Sequence, residues 1–153
     1  MVFAAIQKAP HTNNGGVVVA AAFVRWLNQD PYPSSDDAAQ VEKVGIAPDA
    51  PTQDLVAFFA SSPNLSGGLV PDSTPYYLST IPGVFHLESV SGEKVIASIG
   101  TGLVVNDVLS TTLRGSITVT VEWHDGHWMF MKSAGTRTTQ NLYSIGTPLT
   151  GGC

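Results

Sequence analysis

Charge is scarce in this sequence. Only 12% of its 153 residues are Asp, Glu, Lys or Arg, about half the usual share, so the surface has to be built largely from Ser, Thr, Asn, Gln and Gly. Such a surface repels itself less and meets other proteins more readily. Positive charge is scarcer still. Lys8, Arg25, Lys43, Lys94, Arg114, Lys132 and Arg137 are scattered, no two adjacent, in a chain of net charge −5. Phosphate contacts need clustered basic residues, which argues against nucleic acid as a partner. Cysteine is almost missing. Cys153 alone excludes a disulfide framework and a cysteine-rich zinc site, and reads as a free thiol. Long apolar runs are missing too. The longest, residues 17–24, falls far short of the roughly 20 that a membrane span needs. No basic-then-apolar lead marks a signal peptide.

What is present suits one globular domain. The hydrophobic share is 43%, and a chain of this length hides roughly 70% of its unfolded surface without staples. After an ambiguous lead over 1–11, Thr12 or Asn13 caps a helix that runs to about Asn28. Val17, Ala20, Ala21, Val24 and Leu27 recur at helical spacing, and Phe23 and Trp26 widen the stripe. Such a helix is buried on most sides. Ser34 or Ser35 caps a second helix that Gly45 ends, with Asp36 and Asp37 in its first turn. Thr52 caps a third, with Leu55, Phe58 and Phe59 facing inward and Pro63 ending it. Residues 64–83 are rich in Pro, Gly and Ser and predict a long loop with a short strand at 76–78.

Beyond Gly83 the period falls to two. The pattern predicts strands over 85–90, 94–105, 111–124 and 127–132, with turns at Ser91-Gly92, Asn106-Asp107 and Asp125-Gly126. Asp-Gly is a strong signal for a two-residue hairpin. It sets Trp123 opposite Trp128 and Val121 opposite Phe130. Alternation then puts Ile117, Val119, Val121, Trp123, Trp128 and Phe130 on a core face. Thr118, Thr120, Glu122, His124, His127, Met129 and Met131 take the other. Residues 133–153 predict a loose polar tail, anchored through Tyr143 and Ile145. The fold class is therefore α+β, with N-terminal helices packed in a curved antiparallel sheet. The domain spans 12–132, with the lead before it and the tail after.

Chemistry-bearing residues are few. His124 and His127 flank the hairpin turn on one face, and Glu122 shares that face, so the three are candidate metal ligands. The plainer reading is two solvated histidines. His86 and Glu88 share a strand face and, with Asp107, are candidates for acid/base work at a cavity mouth. The plainer reading is an ordinary edge strand. No G-x-S-x-G elbow and no phosphate loop occurs; Gly15-Gly16 does not match one. No cofactor is expected.

Three helices, a long loop and then antiparallel strands with central bends resemble the nuclear transport factor 2-like, or cystatin-like, cone fold. Local motifs narrow the resemblance. His11-Thr12-Asn13-Asn14-Gly15-Gly16-Val17-Val18-Val19-Ala20-Ala21-Ala22, Ile99-Gly100-Thr101-Gly102 and the run from Thr118 to Trp128 look like an uncharacterised actinobacterial family of mobile elements. That family is related to the conjugation scaffold TcpC and to type IV secretion components. The resemblance implies a non-catalytic scaffold on the extracytoplasmic side of the cell envelope, joined to the membrane through a segment this chain lacks. It implies protein partners or self-association and supplies no catalytic residues. Two other readings share the fold. One is a small-molecule binder or enzyme of the ketosteroid-isomerase and SnoaL-like kind. The other is a homodimerising module that uses the sheet face of Met129 and Met131.

Overall fold

A computed structural model describes residues 1–135 and 137–150, and Cys153 lies outside them. The architecture is α+β, five helices and a six-stranded antiparallel sheet among the described residues. The order begins α1 (Val2–Lys8), α2 (Asn13–Leu27), β1 (Gln29–Asp30), α3 (Ser35–Gly45) and α4 (Leu55–Ser61). It continues β2 (Tyr76–Ser91), β3 (Lys94–Val105), β4 (Val108–His124), β5 (His127–Ser133), α5 (Thr139–Ile145) and β6 (Thr147–Pro148). The strands lie in the order β1-β2-β3-β4-β5, and β6 pairs with β2.

Helix α2 is the axis of the core. Thr12 caps it, its hydroxyl accepting the Gly15 N–H at 3.0 Å, which satisfies one of the orphan donors of the first turn. Ten of its residues are buried, on more than one side, because it touches β2, β3, β4 and β5 in turn. The close crossing needs glycine. A Cβ on Gly16 would stand 2.7 Å from Val95 Cγ2, and one on Gly15 only 1.9 Å from the Pro10 carbonyl oxygen. Val24, Trp128, Val95, Val119 and Val121 share one core, with Trp123 packed against it. The hairpin register is as the turn chemistry dictates, Trp123 opposite Trp128 and Val121 opposite Phe130. A bulge between Thr120 and Val121 then lets Lys132 face Thr120.

Several expectations are corrected. Within the lead over 1–11, Val2–Lys8 is a helix, because Val2, Ala5 and Ile6 fall on one face and bury it against α2 and α3. Helix α4 is capped by Asp54, not Thr52. The Asp54 carboxylate accepts the Ala57 N–H, and Glu42 reaches across from α3 to the N–H groups of Leu55 and Val56. Within 64–83 the short strand expected at 76–78 is present and is longer than expected, the start of β2, with Tyr76 to Ser79 paired to β3. Residues 80–82 bulge out before pairing resumes at Gly83. The turn between β2 and β3 is Gly92-Glu93.

The described residues after β5 form a helix and a short strand and not a loose tail. Helix α5 seats Leu142, fully buried, against Gly100 of β3, while Ile145 stays exposed. Its contacts are with β2, β3 and β4. β6 then pairs Thr147 and Pro148 with Phe85 and Val84. Nor is the second sheet face open along β4 and β5: Thr120, Glu122 and Met129 are buried. The segment after α3 runs beside β5, with a parallel bridge from Ile46 to Phe130 and an Ala47 N–H to Phe130 O bond of 2.8 Å.

Candidate functional site

The sheet's length mismatch builds the candidate site. β5 pairs with β4 only from Val119 to His124, so the earlier part of β4 runs on without it. Two cavities lie there, on the side of the sheet that α2 covers. One, of about 380 Å³, lies among the end of α2 (Leu27, Asn28), α4 (Leu55, Phe58), Ile117 of β4 and residues 130–135. The other, of about 270 Å³, is walled by Leu65, Leu69, Leu78, Leu103 and residues 114–117 of β4. Leu65 and Ile117 line both, so the two adjoin as one apolar cleft. Its charged lining is Lys132 at one part and Arg114 at the other. Arg114 stands 4.2 Å over the Tyr143 ring. Burial raises the Tyr76 phenol above its ordinary range, so it stays neutral and accepts the Leu65 N–H. The wall at 65–69 turns on Gly67 and Gly68, both at positive φ, where a side chain is strained.

The acid/base candidates do not meet in this cleft. Glu88 is the extra residue of a bulge between Leu87 and Ser89. Its carboxylate accepts from Ser98 Oγ at 2.7 Å and from Arg137 at 2.5 and 2.8 Å. The Arg137 hydrogen bonds hold its carboxyl down at about 2, so it is a fixed anion and not a proton carrier. Ser98 passes the chain on to Thr118 at 2.8 Å. This network ties the start of the α5 segment to three strands. His86 faces Ser98 across the β2–β3 ladder, and Asp107 sits in the β3–β4 turn with φ +64°. None of the three lines either cavity.

The metal candidates split. His127 turns to α1, its Nδ1 3.2 Å from Ile6 O. His124 Nε2 and Glu122 Oε1 stay together at 3.5 Å. Asp49, which no local pattern marked, joins them, and the three ligand atoms lie within 4.8 Å of one another. Lys94 Nζ already stands 3.4 Å from Glu122 Oε2, so a dication would have to displace an ammonium. A hydrogen bond with Glu122, ahead of its own backbone N–H and the charges of His124 and Lys94, lowers the Asp49 pKa.

A more open apolar groove of about 680 Å³ lies between α1 and α2, along Ala4, Ala9, Gly15 and Val18. It offers almost no polar group to orient a ligand. No helix among the described residues is long and apolar enough to cross a membrane. Comparison with family models, with curated proteins and with solved structures gave no match.

Proposed function

We propose that this chain is a non-catalytic binding module whose working surface is the apolar cleft beside β4. The carrying observation is the lining of that cleft. It is walled by Leu, Phe, Ile and Met side chains, with Arg114 and Lys132 as its charges and no carboxylate or imidazole among its lining residues. Of groups able to move a proton, the lining holds the Tyr76 phenol, raised by burial and bonded to the Leu65 N–H, and the Lys132 ammonium; burial of apolar surface needs only the walls. The cystatin-like cone, in which a bent sheet wraps the first long helix, agrees with α2 touching four strands.

The wider role we propose is that of a scaffold domain in a conjugative-transfer or secretion apparatus of a mobile element, at the cell envelope. The motif resemblance and the low surface charge support it. Deleting the gene and measuring the transfer frequency of the element that carries it tests the role. Transfer is expected to fall, and to be restored by the wild-type gene but not by a folded Ile117→Lys variant. Normal transfer in the deletion strain would overturn the role. Restoration by Ile117→Lys would overturn the cleft as the working surface.

A further inference from the structure

We infer that the free edge of β4 along residues 114–117 receives an extended peptide segment of a partner protein, apolar at its centre and acidic at its flanks, as an added strand. This rests on the reading of the cleft as a binding surface and names its occupant.

Among the described residues the edge is left open by register. The last main-chain bond to it is Ala134 N–H to Thr118 O, 3.0 Å. Among the described residues no strand pairs with β4 on that side before Val119. In an antiparallel ladder alternate residues turn both backbone groups to the same neighbour. Trp123 donates toward the β3 side, to Glu93 O, and Thr118 accepts from the β5 side. Even-numbered residues therefore turn their N–H and C=O groups outward, which puts those of Arg114 and Ser116 on the unpaired side.

The cleft adjoins this edge from the face that α2 covers, since Leu78 of β2 and Leu103 of β3 line the smaller cavity too. Arg114, Gly115, Ser116 and Ile117 all line the smaller cavity. Side chains of consecutive strand residues alternate between faces. The side chains of an added strand that turn to the α2 face would enter this space. An extended main chain supplies partners for those outward groups, whereas a compact apolar molecule fills the space and pairs none of them. At about 3.4 Å per residue, the four positions match a core of about four peptide residues.

Charge selects the flanks. Arg114 and Lys132 border the cleft, and no carboxylate lines it. Neither is in an ion pair among the described residues. In a chain of net charge −5, two cations on one apolar cleft favour acidic residues on either side of the apolar core.

The test is selection of a phage-displayed library of random linear dodecapeptides on the immobilised full chain. Synthesis of the enriched peptide follows, and of a copy N-methylated at alternate residues. The expected result is an apolar core with acidic flanks and amide-shift changes in the spectrum of the chain centred on Arg114 to Ile117. Binding should weaken at least tenfold on N-methylation, on Arg114→Glu and on Ser116→Pro. Should Ser116→Pro fail to fold, the N-methylated peptide on the wild-type chain decides alone. Enriched peptides indifferent to N-methylation, or shifts located elsewhere, overturn the inference. 8-Anilinonaphthalene-1-sulfonate separates the two readings. If it binds the wild type but not Ile117→Lys while no peptide enriches, the strand inference falls and the binding cleft stands. If neither it nor any peptide binds, both fall.

Discussion

The imidazole of His11 lies flat on the indole of Trp123, ring centroids 4.0 Å apart and planes 3° from parallel. The same ring stands edge-on to Trp128 at 5.7 Å and has Nε2 at 2.7 Å from Gly92 O. One side chain in the α1–α2 connection thus joins both hairpins. Aromatic pairs add about 0.5–1.5 kcal/mol beyond area burial. His11→Ala is expected to lower stability by about 1 kcal/mol in urea unfolding and to shift the tryptophan emission of the folded state. An unchanged midpoint would mean that the stack is incidental.

Gly15 gives a prediction opposite in sign to propensity. Alanine is favoured over glycine inside a helix by about 1 kcal/mol. A Cβ here meets the Pro10 carbonyl oxygen at 1.9 Å, backbone that cannot step aside cheaply. Gly15→Ala is therefore expected to lower the thermal midpoint, by calorimetry, where the propensity scale alone predicts a rise.

Acid should release α5. The folded Glu88 carboxyl sits at about 2, held there chiefly by Arg137, against an ordinary value near 4.3. A depressed carboxyl contributes stability that is fully present above its unfolded value and is lost as pH falls through the folded one. The window is therefore roughly pH 4.5 down to 2. Amide exchange of residues 139–145 is expected to quicken through that window in the wild type, and to be fast already at neutral pH in Glu88→Gln. A wild-type profile flat between pH 5 and 2 would dismiss the ion pair as the fastener.

Leu142 is the apolar half of the same attachment. Truncating a buried leucine costs about 2–5 kcal/mol. Leu142→Ala should undock α5 and β6 together, and limited proteolysis is expected to cut near 134–138 in the variant long before the rest of the fold opens.

Local signals predicted α2, the β3 limits and the β4–β5 hairpin, because capping by Thr12, alternation over 94–105 and Asp125-Gly126 are each short-range physics. What depended on distant partners was illegible. Helix α1 is short and weakly patterned, and it holds because α2 and α3 cover Ile6. Leu142 sits in a polar tail and reads as an anchor only beside Gly100. At the sites, alternation put Glu122 with His124, as found, but could not foresee Asp49 arriving from the segment after α3. It also placed His127 with them, whereas Ile6 O draws that ring to α1. Glu88 went to a bulge that two-residue periodicity cannot express. The cleft was unreadable because it comes from where β5 stops, which no residue announces.

The contacts from the first ten residues to the last hairpin carry a consequence for synthesis. Ile6 O meets His127, and Pro10 O accepts from Trp128 Nε1 at 2.9 Å. Helix α1 therefore gains α2 and α3 as neighbours by residue 45, but the hairpin side of its seat only when about 80 further residues have followed. A nascent chain arrested before the β4–β5 turn should therefore hold α1 against α2 and α3 alone, with the side that meets the hairpin uncovered and more open to protease.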